Sequence, residues 1–272
     1  MSLSVSSLNG NPAAGNPAAG NPAAVDFSKL PVDPKKIAPG NSPSEKPGSS
    51  PVRTALGPRT VALTPEDVKR EATLFLPKAQ KLVDGFFESF ITSAPQVQLK
   101  LWTPEQMRAN MPGENIDRIV AYTDTGMPGI VNVAFESPMF KKLNVDARDL
   151  QLYLVHEVLH TRSAAFSVDI AETFGKPLAN GKPATFSDGS QVRGITEGLT
   201  EIYTLMATST KIPSSTYNRQ IEWASKLIEK VSPRTMVQAY FGKNRDSMVQ
   251  VKKAINELIA ADKQANASAR SH

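Results

Sequence analysis

The chain of 272 residues contains no cysteine, which excludes a disulfide framework, a thiol nucleophile, an iron–sulfur cluster and any cysteine-ligated zinc finger. Histidine is nearly as scarce, with 3 in all, so any imidazole chemistry rests on very few side chains. No uninterrupted apolar stretch reaches membrane-spanning length, and a soluble protein with no membrane partner is expected. Blocks of one charge sign are also missing. The formal net charge is +5, yet basic and acidic side chains are interspersed, without the basic run and interleaved aromatics that nucleic acid requires. No nucleic-acid partner is expected, and the chain is expected to be a monomer.

Large apolar side chains are sparse over the first sixty residues. Positions 10–24 repeat Gly-Asn-Pro-Ala-Ala three times, combining turn formers with a residue that cannot donate a backbone hydrogen bond. From Val25 onward Pro, Ser, Gly and Lys continue, with isolated Leu30, Val32 and Ile37, too few to offset the entropy of ordering. The pattern predicts a disordered leader over 1–61, a folded domain over 62–262 and a disordered polar tail over 263–272. A cleaved signal peptide needs a basic start and an apolar stretch of ~7–15 residues, and the segment from Met1 to Leu8 offers neither. A Ser-rich, unstructured start ahead of a cysteine-free domain resembles the leaders of bacterial effectors delivered by type III or similar injection machines. That resemblance implies non-classical secretion, into a host cell; a cytoplasmic protein with a flexible tail is the alternative.

Thr64-Pro65-Glu66-Asp67 is a helix start. Val68, Ala72, Phe75, Ala79, Leu82, Phe86 and Phe90 then recur at helical spacing, predicting a helix to about 91 with a kink or break at Pro77. Val97, Leu99 and Leu101 alternate as in a half-buried strand, and Thr103-Pro104-Glu105 opens a short helix. The runs 118–122 and 129–135 flank a turn at 123–126 and read as a hairpin. From Asp146 the periodicity is helical apart from a polar loop at about 167–192. The expected class is α+β, with a small N-terminal sheet and helices followed by a mostly helical C-terminal half.

Asp146 caps a helix that includes His156-Glu157-Val158-Leu159-His160. Residues four apart on a helix share one face, where two imidazole nitrogens can reach one ion at about 2.0–2.1 Å. Glu157 lies beside that face and has the position of the acid in the His-Glu-x-x-His pattern. Two of the 3 histidines fall inside this motif. A satisfied core pair is the alternative, but two unpartnered imidazoles in an apolar helix are costly.

In the segment from Gly194 to Met206, Ile195, Leu199, Ile202 and Met206 form an apolar stripe, and Glu197, Glu201 and Thr204 form a polar one. A carboxylate on an inward helix face calls for a cation. Glu197 is the expected third metal ligand and Glu201, one turn later, the acceptor that orients a ligand histidine; a solvated helix face is the alternative for both. Gly198 weakens this helix by about 1 kcal/mol relative to Ala, a cost explained if another backbone passes close by.

His156-Glu157-Val158-Leu159-His160 with Glu197-x-x-x-Glu201 resembles the gluzincin metallopeptidases, the thermolysin-like superfamily that includes the clostridial neurotoxin proteases. The resemblance covers about 130–245. It implies a zincin-like fold, a Zn2+ ion held by His156, His160 and Glu197, Glu157 as general base, and peptide or protein substrates. The later acid is Glu201 where thermolysin has aspartate, and the interval between motif and third ligand is nearer the neurotoxin pattern. The segments 195–201 and 239–242 also resemble stretches of bacterial His-Glu-x-x-His proteins. An oxyanion donor is still needed; Tyr217, early in the next helix, is the expected one, with Tyr240, Arg193 and Arg219 as alternatives. The 129–135 strand is expected beside the cleft, where an extended substrate pairs with it. A metal-bound but non-proteolytic protein, or an interaction module recruiting a partner through its Pro-rich arm, are the rival functions.

Overall fold

The computed structural model describes residues 3–4, 62–91, 94–124, 126–127, 129–176, 183–210, 217–242 and 244–270. Apart from Leu3–Ser4, the leader expected over 1–61 lies outside the described residues.

Thr64 accepts from the backbone of Asp67, whose carboxylate returns to the Thr64 N–H. This capping box starts helix α1 (Pro65–Phe86). Of the kink or break expected at Pro77, the break does not occur, and the helix is continuous through it. An internal proline costs about 3 kcal/mol, but Phe75, Leu76, Ala79 and Val83 on either side are buried, and their packing against the motif helix offsets that cost. Thr103 caps α2 (Pro104–Asn110) in the same way, with Gln106 as the reciprocal partner.

The sheet comprises β1 (Leu3–Ser4), β2 (Gln98–Leu101), β3 (Ala121–Asp124) and β4 (Ile130–Val133), in the order β1-β3-β4-β2. Strands β3 and β4 form the expected hairpin, antiparallel with Tyr122 opposite Asn132. The first arm lies later than 118–122 because Ile116–Arg118 form a 3-10 turn. Strand β2 runs parallel to β4. The 129–135 strand is therefore interior, paired on both sides, and not the cleft edge expected from sequence. Its near-continuous apolar character is that of a strand covered on both faces. On its other side β3 pairs antiparallel with Leu3–Ser4, through Thr123 and Asp124, and β2 lies at the opposite margin of the sheet.

After α3 (Pro138–Lys142) the described residues are mostly helical, apart from a stretch at 183–191 closed by a Thr185–Gln191 bridge. The motif helix α4 (Ala147–Arg162) packs against α1, β3 and β4. The first part of the polar loop expected over about 167–192 is helical instead: residues 167–174 belong to helix α5 (Ala164–Phe174). Phe166, Ile170 and Phe174, one turn apart, are buried and supply the apolar face that the intervening polar residues obscure. Helices α6 (Ile195–Thr208), α7 (Asn218–Val231), α8 (Pro233–Tyr240) and α9 (Arg245–Arg270) complete the fold. The tail expected to be disordered over 263–272 is helical as far as Arg270, since Ala, Lys and Gln are strong helix formers. The described residues thus form an α+β domain whose core lies between α1, α4, α6 and the sheet. None of their helices is long and apolar enough to cross a membrane.

Candidate metal centre

Helix α4 begins at Asp146, which accepts from the backbone of Arg148 and Asp149 while Asp149 returns to the Asp146 N–H. Three turns on, the helix is wholly buried: His156, Glu157 and His160 are 4%, 1% and 0% exposed. Its depth is pinned from both flanks. The Thr123 hydroxyl of β3 donates to the Glu157 carbonyl oxygen at 3.1 Å. At the C-terminal end, the Arg162 guanidinium grips both carboxylate oxygens of Asp84 on α1, at 2.7 and 2.9 Å, and donates to the Pro95 carbonyl.

Helix α6 crosses α4 and brings two carboxylates to the histidines. His156 Nε2 and His160 Nε2 lie 3.1 Å apart, and Glu197 Oε2 is 3.4 Å from the first and 3.3 Å from the second. Ligand atoms bound tetrahedrally at about 2.0–2.2 Å are separated from one another by roughly 3.3–3.6 Å. The donor set His156, His160 and Glu197 therefore has the spacing of three corners of a zinc coordination tetrahedron. On the far side of the ring, His156 Nδ1–H donates to Glu201 Oε2 at 3.1 Å. A carboxylate only accepts, so Glu201 fixes the proton on Nδ1 and turns the Nε2 lone pair toward the other two donors. The extra methylene of Glu201 thus does not prevent its reach. His160 Nδ1 is buried and makes no hydrogen bond among the described residues.

Electrostatics in the cluster follow from this crowding. Burial disfavours the His156 imidazolium, but hydrogen bonds to Glu197 and Glu201 and the charges of Glu201 and Glu157 outweigh it, pushing its pKa up to about 10. Burial likewise disfavours the Glu197 carboxylate, yet His160 and His156 hold it well below the usual carboxylate range. Without a metal, a proton on His156 offsets carboxylate charge in the site.

Tyr217, just ahead of α7, stacks on His156 with ring centroids 5.8 Å apart and planes 14° from parallel. The alternative oxyanion donors are engaged elsewhere. Tyr240 is fully buried with its hydroxyl 2.7 Å from Thr200 Oγ1, and burial raises its pKa. Arg193 Nε donates to Gln191, and Arg219 donates to the Asp188 carbonyl.

Gly198, beside Glu197, meets the close backbone approach expected of it: a Cβ there would lie 2.1 Å from the Gln220 carbonyl oxygen of α7.

Two contributions were not foreseen from sequence. Thr123 carries no local signal of its contact with Glu157. The stripe Thr196, Thr200, Thr204 and Thr208 does carry one, its four-residue spacing. Thr196 donates its hydroxyl to the Arg193 carbonyl, and each of the other three to the carbonyl four residues back, at 2.8–2.9 Å.

No protein-family model matches the chain, and comparisons with curated proteins and with solved structures give no match either.

Proposed function

We propose that the chain is a zinc-dependent metallopeptidase of zincin-like architecture, with His156, His160 and Glu197 holding the ion. The observation that carries this reading is the convergence of three donor atoms from two helices at 3.1–3.4 Å, with a fourth side chain, Glu201, orienting one of them from behind. Imidazole and carboxylate donors in this number suit zinc, and three protein ligands leave a coordination position open, as in catalytic rather than structural sites. When bound, zinc supplies a Lewis acid and brings the pKa of water to about 7.

The chain's own residues do the rest. Glu157, next to His156 and withdrawn from solvent, takes the proton from the attacking water and passes it to the leaving amine. Glu201 keeps His156 in its ligating tautomer. Tyr217, whose ring stacks on His156, donates to the oxyanion in this reading. Strand β3 contacts the motif helix through Thr123, and its outer edge accepts an extended segment in antiparallel register, as the pairing with Leu3–Ser4 illustrates; a peptide substrate pairs there in place of Leu3–Ser4.

The burial of Glu157 and His160 favours a second reading, a metal centre that is structural and not proteolytic. Metal quantification on the wild type, His156→Ala, Glu197→Ala and Glu157→Gln, with a peptide-library digest, separates the two. We expect one zinc per chain in the wild type and Glu157→Gln, none in the ligand variants, and cleavage by the wild type alone. Zinc retained with no cleavage by any protein supports the structural centre, and a wild type without zinc overturns both.

A further inference from the structure

We propose that Gly198 is a positioning residue: by lacking a side chain it lets the first turn of α7 close onto α6, and this closure sets Tyr217 against His156. The inference rests on the metal reading of the site and deepens it.

Three observations carry it. A Cβ at position 198 would meet the carbonyl oxygen of Gln220 at 2.1 Å, its carbon at 2.4 Å and the Ile221 nitrogen at 2.8 Å. All three are backbone atoms, which cannot swing aside as a side-chain tip does. Gly198 itself lies inside an unbroken helix, where Ala is favoured by about 1 kcal/mol, so local propensity does not explain it. Second, the atoms it would strike belong to the turn that carries Tyr217, since the Ile221 N–H donates to the Tyr217 carbonyl at 2.8 Å. Third, that turn is held on another side by Asp188, whose carbonyl accepts from Arg219 and whose carboxylate accepts from Trp223 Nε1 at 3.1 Å. The turn sits between two contacts, so a methyl group at 198 must push it, and Tyr217 with it, away from α6. The backbone contact has to open from 2.1 Å to beyond 3.0 Å, a displacement of the size that costs on the order of 100-fold in rate when it separates a catalytic group from its place.

Gly194 is the natural control. A Cβ there would meet side-chain atoms of Gln220, Cγ at 3.2 Å and Nε2 at 4.0 Å, and that side chain can turn away.

The test uses the full chain labelled with 3-fluorotyrosine and loaded with one equivalent of Co2+. The chain has 5 tyrosines, and Tyr217→Phe identifies the fluorine resonance of Tyr217. A paramagnetic ion shifts that resonance in a way that falls steeply with distance, with no need for a known substrate. We expect Gly198→Ala to bind Co2+ at the wild-type stoichiometry while the Co2+-induced shift of Tyr217 shrinks, and Gly194→Ala to leave both unchanged. Resonances of the core residues Tyr203 and Tyr240 report whether the fold is intact. If Gly198→Ala does not fold, the triple variant Gly198→Ala, Asp188→Ala, Arg219→Ala removes both ties to position 188, frees the turn to move outward and is expected to fold with a displaced Tyr217. Stoichiometric Co2+ binding with an unaltered Tyr217 shift in the folded variant overturns the positioning role alone. Failure of the wild type to take up Co2+ overturns the metal reading and the positioning role together.

Discussion

Acid should strip the metal from this site along a slope set by one imidazole. In the metal-free protein burial opposes the charge on His156, and its two carboxylate partners override burial to push its pKa up to about 10. A metal ligand must be the neutral imidazole, so below that pH each ion that binds displaces a proton. The apparent affinity for zinc then rises about tenfold per pH unit: about 100-fold between roughly pH 6.5 and 8.5, with the value at pH 7 on the order of 1000-fold below its limit. The sign for folding is opposite. Because the folded-state pKa lies above the ordinary value of 6.5, His156 contributes stability to the metal-free protein that is fully present below pH 6.5 and lost as the pH rises through about 10. Competition with a chromophoric chelator at stepped pH measures the slope, and calorimetry in two buffers of different ionisation enthalpy counts the protons. A flat affinity over this window, with no proton released, refutes the linkage.

Further outcomes follow from the same geometry. Glu201→Gln weakens zinc binding about 10–100-fold by loosening the tautomer of His156, read by the same chelator competition. Asp84→Ala leaves the Arg162 guanidinium, 1% exposed, with only backbone and hydroxyl partners, and lowers the unfolding free energy by about 3 kcal/mol in urea. Arg162→Met, which removes the buried charge itself, costs less. Thr204→Val is close to neutral, because its hydroxyl serves only its own helix, whereas Thr200→Val also takes an acceptor from the Tyr240 hydroxyl and costs about 1 kcal/mol more. Equal effects of the two substitutions contradict that difference.

The site was more legible in the sequence than the sheet, and the reason is range. The spacing of His156 and His160, the cap at Asp146 and the two stripes of α6 are all periodicities within one helix, fixed by 3.6 residues per turn. Which strand occupies an edge is decided by pairings between segments far apart in the chain, and the apolar run at 130–135 is compatible with either place. The helix over 164–174 was hidden because its large buried side chains, Phe166, Ile170 and Phe174, stand among small and polar neighbours and make a thin stripe. Pro77 left a kink or a break open, and the helix runs on through it because tertiary packing overrides the local cost. The tie between Asp84 and Arg162 spans 78 positions and leaves no trace in either neighbourhood.

The threonine ladder of α6 means that polarity on this helix comes in two kinds. The four hydroxyls are consumed by their own backbone, so each threonine offers its methyl group to the surrounding core and behaves as a small branched hydrocarbon. Such positions are free to drift toward Val or Ala over evolutionary time, Thr200 least so. The carboxylates at 197 and 201 have no comparable freedom, because what satisfies them belongs to another helix. A hydropathy scale scores both kinds alike, and only folding reveals which polar letters are silent and which are spoken for.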